Sequence, residues 1–406
     1  MTKNISRIRW FYLAVGVFTM LFSGILYAWS ILKMPFKTEF QWTDSSLALN
    51  FTLTMCFFCL GAFLGSLIAK KIGHKLTLII AGLLVGVGFA LTGLLTANNQ
   101  YMLYIAYALL AGAGIGISYN VTVSTVTGWF PDRKGLCSGC LMMGFGFSTL
   151  ILGNLISLMF ENASIGWSKT FIILGAVIGV VQILAGLILK KPSQDAVLPT
   201  PKPSKIAKAE VFEVRDFTTI EMLKSFTFWR AFVCVAFITA VGNSVISFAR
   251  DLMISVDAVP SLATTLVGVL SVCNGFGRVL TGVFFDAVGR RTTMIASNVL
   301  TIVAAGVTLI AVMLHSLPLC IVGLCLTGLS YGSCPTVCSA FTSGFYGQKH
   351  FSVNYSLVNS NLILAASIAS VSNNLMLSFG NYTAPFVLLL SLAFVALILN
   401  FTIRKP

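Results

Sequence analysis

Residues 260–285 read PSLATTLVGVLSVCNGFGRVLTGVFF, an apolar run with one charge, Arg278, well inside it. At about 1.5 Å per helical residue the run is long enough to cross a bilayer. A guanidinium at that depth costs on the order of 2.5–3.5 kcal/mol and cannot shed its proton. No carboxylate lies at a comparable depth, so a substrate anion is the simplest partner for it. The alternatives are that Arg278 leans toward the membrane interface or reaches Asp286, two turns along the same helix.

Working outward, the whole chain has this character. Hydrophobic residues make up 57% of it and charged residues 9%, against roughly 25% charged in a soluble domain. Twelve apolar runs of spanning length follow: 10–32, 47–69, 76–96, 101–127, 137–160, 170–189, 228–247, 261–285, 293–314, 319–342, 352–375 and 383–403. The first is read as a helix rather than a cleaved leader, because it is long and aromatic and lacks a small-residue cleavage site. The expected fold is an all-α membrane protein, with the lipid bilayer as its surroundings.

The net charge of +14 reflects topology. With the N-terminus inside, 21 cations fall in cytoplasmic segments and only Lys33, Lys37, Lys169 and Arg250 on the other side. That asymmetry is the positive-inside pattern, placing both termini in the cytoplasm of an inner or plasma membrane. A nucleic-acid partner is not implied.

Residues 190–225 form the only long polar stretch, a cytoplasmic linker with a short amphipathic helix expected around 219–225. It separates residues 1–189 from 226–406, with six spans in each. The halves repeat weakly. Gly116-Ile-Ser-Tyr119 returns as Gly328-Leu-Ser-Tyr331, an offset of 212, and Gly73 matches Gly289 at an offset of 216. Two pseudo-symmetric six-helix bundles with a site at their interface is the plan of alternating-access transporters.

Catalytic constellations are missing from the sequence. The ten cysteines fall mostly in apolar stretches and read as small hydrophobes, and His74, His315 and His350 lie near span ends. The glycines of 112–116 and 144–146 follow no strand, so they read as helix-packing positions rather than a nucleotide loop. Neither a metal site nor a cofactor is expected, and the chain is read as a monomer and not as an enzyme.

Gly282-xxx-Asp286-xx-Gly289-x-Arg291 resembles the loop signature of the major facilitator superfamily. The resemblance implies that Asp286, Arg290 and Arg291, with Asp132, Arg133 and Asp251, gate the transporter through charge pairs made in only one conformation. In the first half Lys70 stands where the acid belongs. A narrower resemblance covers essentially the whole chain. Tyr27-Ala-Trp-Ser30, Gly112-x-Gly114-x-Gly116-xx-Tyr119, Trp129-Phe-Pro-Asp-Arg-Lys-Gly135, Phe248-Ala-Arg-Asp251, Asn274-Gly-Phe-Gly-Arg278 and Asn354-Tyr355 look like the oxalate/formate antiporter family, which is related to the monocarboxylate transporters. That likeness implies transport of a small organic anion, with Arg278 as the carboxylate ligand.

Two departures narrow the expectation. Oxalate carriers of that family have a lysine where this chain has Leu362, so one of two fixed cations is absent and a monocarboxylate fits better. The acid that precedes the arginine by four residues in monocarboxylate transporters is Asn274 here, which cannot carry a proton. Proton cotransport therefore stays open, with Asp251, water or the substrate itself as carrier. Asn243, Asn274, Tyr331, Asn354, Tyr355, Asn359 and Asn361 are candidate lining residues in the second half, with Tyr27, Tyr119, Asn120 and Asn154 in the first. Asn and Tyr donate hydrogen bonds to an anion without burying another charge; helix-to-helix bonding is the alternative role. The expected function is secondary transport of lactate, formate or pyruvate, with oxalate-including exchange as second reading and a transport-inactive sensor as third.

Overall fold

The computed structural model describes residues 2–192, 198–199 and 215–404. The linker expectation for 193–197 and 200–214 lies outside the described residues, as does Lys405. All regular elements among the described residues are helical. Eleven helices are long and apolar enough to cross a membrane: Arg7–Ala28, Ser45–Gly93, Gln100–Thr127, Lys134–Glu161, Gly166–Ile188, Phe226–Ile254, Pro260–Val288, Arg290–Met313, Leu317–Tyr346, Phe351–Phe379 and Thr383–Thr402. The second runs for 49 residues, more than twice what a core of about 30 Å needs. It breaks at Gly73, whose φ of +85° and ψ of +161° leave the helical region. Two crossings result, and the twelve expected spans are all present.

The repeat is visible in the backbone. Gly289, the match of Gly73, has φ +81° and ψ +179° and ends the eighth span. Both turns need a positive φ that a side chain would resist. The paired Gly-x-Ser-Tyr motifs have a common role in packing. A Cβ on Gly116 would strike the Phe58 carbonyl, and one on Gly328 would lie 2.7 Å from both Cys273 Cβ and Leu270 O. These notches bring the fourth span close to the second, and the tenth close to the eighth.

The chain forms two compact units, Met1–Arg133 with Gly144–Pro201, and Lys134–Met143 with Lys202–Pro406. The first turns of the fifth span thus pack within the second unit. That unit's core includes Phe248, Leu252, Met253, Leu324 and Phe386. Leu280, Val283 and Phe284 of the eighth span point outward and exposed, as a lipid-facing surface requires.

Three irregularities had no sequence signal. Gly24–Ala28 is a 3-10 turn at the end of the first span, and Tyr104–Gly112 in the fourth is wound as a π-helix. The eleventh span divides at Ser360 into Phe351–Asn359 and Asn361–Phe379. The short helix expected at the end of the linker, around 219–225, is present as Thr219–Lys224, held by a capping box between Thr218 and Glu221.

Candidate substrate-binding and gating residues

Arg278 is 1% exposed and is among the largest fully buried side chains of the described residues. Its Nε donates to Asn274 Oδ1 at 3.0 Å, one helical turn back. Its Nη2 has no hydrogen-bond partner among the described residues. No carboxylate pairs with it there, whereas Arg9 pairs with Asp132 and Arg215 with Glu221. A buried guanidinium with an unsatisfied Nη2 keeps a charged donor for an anion.

The surroundings of Arg278 come from the tenth span. Gly332 lies so close to the eighth that an added Cβ would strike Asn274 O and approach Arg278 N to 2.9 Å. Thr336 donates to the Arg278 carbonyl at 3.2 Å. Next to Gly332, Tyr331 is buried and donates from its hydroxyl to Asn243 Oδ1 at 3.3 Å. The Nδ2 of Asn243 is buried without a partner among the described residues. Arg278, Asn274, Tyr331 and Asn243 therefore form one neighbourhood on spans seven, eight and ten.

The eleventh-span candidates divide. Tyr355 is fully buried and stacks on Phe351 with ring centroids 5.4 Å apart, and Asn359 is buried beside the break at Ser360. Asn361 donates to Val358 O at 2.7 Å and to Cys338 Sγ at 3.4 Å, while its Oδ1 lacks a partner among the described residues. Asn354 is different. Its Oδ1 accepts from Thr219 Oγ1 at 2.9 Å and its Nδ2 donates to the Phe217 carbonyl at 3.1 Å. Both ends of the amide thus fasten the short linker helix, so the structure gives it an anchoring place rather than an open one. Leu362 is buried.

In the first unit Tyr27 and Tyr119 both meet the Phe145 ring edge-on, at 5.2 and 5.4 Å. Asn120 is fully buried. Asn154 is exposed, and its amide returns to Leu150 O on its own helix at 3.1 Å. Nothing in its packing groups it with the tyrosines.

The loop charges take specific partners. Asp286 accepts from the backbone N–H of Gly135 at 3.1 Å and of Leu136 at 2.9 Å, the first turn of the fifth span. These are the free N–H groups of a helix N-terminus, whose positive partial charge suits a carboxylate. Lys134 lies within electrostatic reach of the same carboxylate. The Arg290 guanidinium stacks over Phe345, 4.0 Å from the ring centroid, and Arg291 is exposed. Asp132 pairs with the buried Arg9 at 2.7 Å and only loosely with Arg133, at 3.9 Å. Asp251 is exposed near the far end of the seventh span.

A model of the Major Facilitator Superfamily matches residues 11–249 and 232–406. The chain is 27% identical over 359 residues to YhjX, an uncharacterized MFS-type transporter of Escherichia coli, covering 88% of this chain and 85% of that one. It is 30% identical over 292 residues to the oxalate:formate antiporter of Oxalobacter formigenes, covering 70% of this chain and 65% of the antiporter. With human monocarboxylate transporter 12 it shares 24% identity over 401 residues, 92% of this chain and 76% of that one. Among solved structures the proton:xylose symporter XylE superposes with a TM-score of 0.74 at 15% identity, covering 98% of this chain and 97% of that chain. That last likeness speaks for the fold alone. The chain belongs to the Major Facilitator Superfamily and is a multi-pass membrane protein that acts as a secondary transporter, not an enzyme.

Proposed function

We propose that this transporter moves a small monocarboxylate of the lactate, formate or pyruvate type by alternating access, and that Arg278 binds the carboxylate. The observation that carries the reading is the buried guanidinium of Arg278, fixed through Nε by Asn274 and left with an unsatisfied Nη2. An uncompensated charge in a low-dielectric setting is costly, and an anionic substrate supplies the compensation when bound. Asn243 and Tyr331 then act as neighbouring polar contacts. In this reading the protein resides in the inner or plasma membrane with both termini in the cytoplasm, as the distribution of Lys and Arg favours.

Exchange of small carboxylates, oxalate included, is the second reading, favoured by the 30% identity to an oxalate:formate antiporter. Uptake of labelled carboxylates into proteoliposomes, with and without a pH gradient and with and without trapped anion, separates the two. Accumulation with empty vesicles supports net transport, whereas a strict need for trapped anion supports exchange. Arg278→Ala and Arg278→Lys should both lose at least about thirtyfold in uptake while still inserting, because ammonium does not reproduce the planar fork. Near-wild-type uptake by the alanine variant removes Arg278 as the anion ligand.

A further inference from the structure

The helix Thr219–Lys224 and the start of the seventh span carry an exposed apolar surface. Met222 is fully buried and pins the short helix to the protein, while Ile220 is 67%, Phe226 80% and Trp229 50% exposed. The Trp229 ring is held in place, since its Nε1 donates to Leu223 O at 2.9 Å. The segment before the helix is fastened too: Asp216 Oδ1 accepts from the backbone N–H of Gln348 at 2.9 Å and Lys349 at 3.1 Å. This apolar face is therefore presented by a fixed element.

Cations gather beside it. Arg230 Nη1 donates to Thr402 O at 3.1 Å, and Thr227 Oγ1 donates to Arg404 O at 2.8 Å. These two bonds sew the start of the seventh span to the end of the twelfth and bring Arg230 and Arg404 together. Both are exposed, as is Lys224. The nearby acids are engaged elsewhere: Glu221 with Arg215 at 2.6 Å and with the Thr218 N–H at 2.8 Å, Asp216 with the backbone of 348 and 349.

We propose that this patch is a binding site for an anionic phospholipid, with Lys224, Arg230 and Arg404 on the headgroup phosphate and Phe226, Trp229 and Ile220 against the upper acyl chains. Two membrane-crossing helices begin and end here, so the patch stands where hydrocarbon meets headgroups. Exposed aromatics pinned at that level are suited to the interface, and clustered Lys and Arg favour anionic over zwitterionic lipid. Charge complementarity and position select a lipid over a soluble protein partner. The inference does not depend on which anion is transported.

Native mass spectrometry of the full-length protein, released from bilayers of equal phosphatidylglycerol and phosphatidylcholine, tests it. The wild type should retain phosphatidylglycerol in preference, and melt at a higher temperature in it than in phosphatidylcholine. A Lys224→Gln/Arg404→Gln double variant should weaken retention by about 25-fold, at about fivefold for each of two charges, and lose the thermal shift. A Lys37→Gln/Lys169→Gln variant, which removes two cations from the first unit, should retain the lipid as the wild type does. Should Arg230→Gln alone disturb folding, the double variant still decides, since it leaves the bond to Thr402 intact. The proposal is overturned by equal retention of the two lipids, by undiminished retention in the double variant, by equal loss in the Lys37/Lys169 control, or by displacement with millimolar inorganic phosphate, which would mark a site for free phosphate.

Discussion

Arg278 owes its state to Asn274, the residue one turn before it. The Asn274 carbonyl oxygen orients the guanidinium through a 3.0 Å bond without neutralising it, which is what the proposed carboxylate ligand requires. Replacing Asn274 with Asp changes the charge balance with little change in shape. The new carboxylate forms an intrahelical ion pair with Arg278, and a substrate anion must then compete with it. Uptake at neutral pH should fall on the order of tenfold, the factor that matches about 1.4 kcal/mol. Protonating the aspartate restores an uncharged partner, so the variant's uptake should recover as pH falls. Uptake measured against pH in both proteins checks this, and parallel profiles would contradict it. Arg278 was legible in the sequence because one charge in a long apolar run is unmistakable. The place of Asn354 was not, because its partners Phe217 and Thr219 come from a segment more than 130 residues earlier in the chain. Side-chain type says that an amide will bond, but not to what.

Helix ends do at the next scale what single charges do at the first. Asp286 closes the eighth span onto the N-terminus of the fifth by taking the N–H groups of Gly135 and Leu136. The approach is possible because Gly135 and Gly282 face each other, and a Cβ on either would strike the other's carbonyl. A contact built from a carboxylate and a helix end is strong when formed and costs little steric disruption to release, which suits a conformational gate. Asp286→Asn keeps an acceptor and loses the charge. If Asp286 gates by biasing conformations, turnover should fall about fivefold, in line with roughly 1 kcal/mol for such an interaction, while equilibrium affinity for substrate changes less. Unchanged turnover combined with a large loss of binding would contradict the assignment. The glycine turns at 73 and 289 were readable as a repeat. The backbone donors facing Asp286 were not, since every residue carries an N–H and sequence pattern marks only side chains. The break at Ser360 was equally hidden, with no proline or glycine to announce it.

Across the whole molecule, two arginines are buried among the described residues, and only Arg9 has a carboxylate partner among them. Arg9 pairs with Asp132 at 2.7 Å, whereas Arg278 has no carboxylate partner there. Leu362, buried in the eleventh span, adds no second cation. A site with one fixed positive charge should match a monoanion, because each unmatched charge taken out of water is expensive. The twelve spans and their repeat were legible because the bilayer dictates run length and composition; substrate charge is legible only through such a count of fixed charges. The wild type should therefore bind lactate, formate or pyruvate at least about thirtyfold more tightly than oxalate, the lower end of what a missing buried charge partner costs. Leu362→Lys should narrow or invert that ratio. Leu362 is buried, so failure of the variant by itself decides little, and the comparison within the wild type is the sharper measurement. Competition binding under matched salt and pH provides it. If oxalate binds more tightly than all three monocarboxylates, the monocarboxylate reading gives way to the exchange reading, and a second cation must then be sought among residues other than 362.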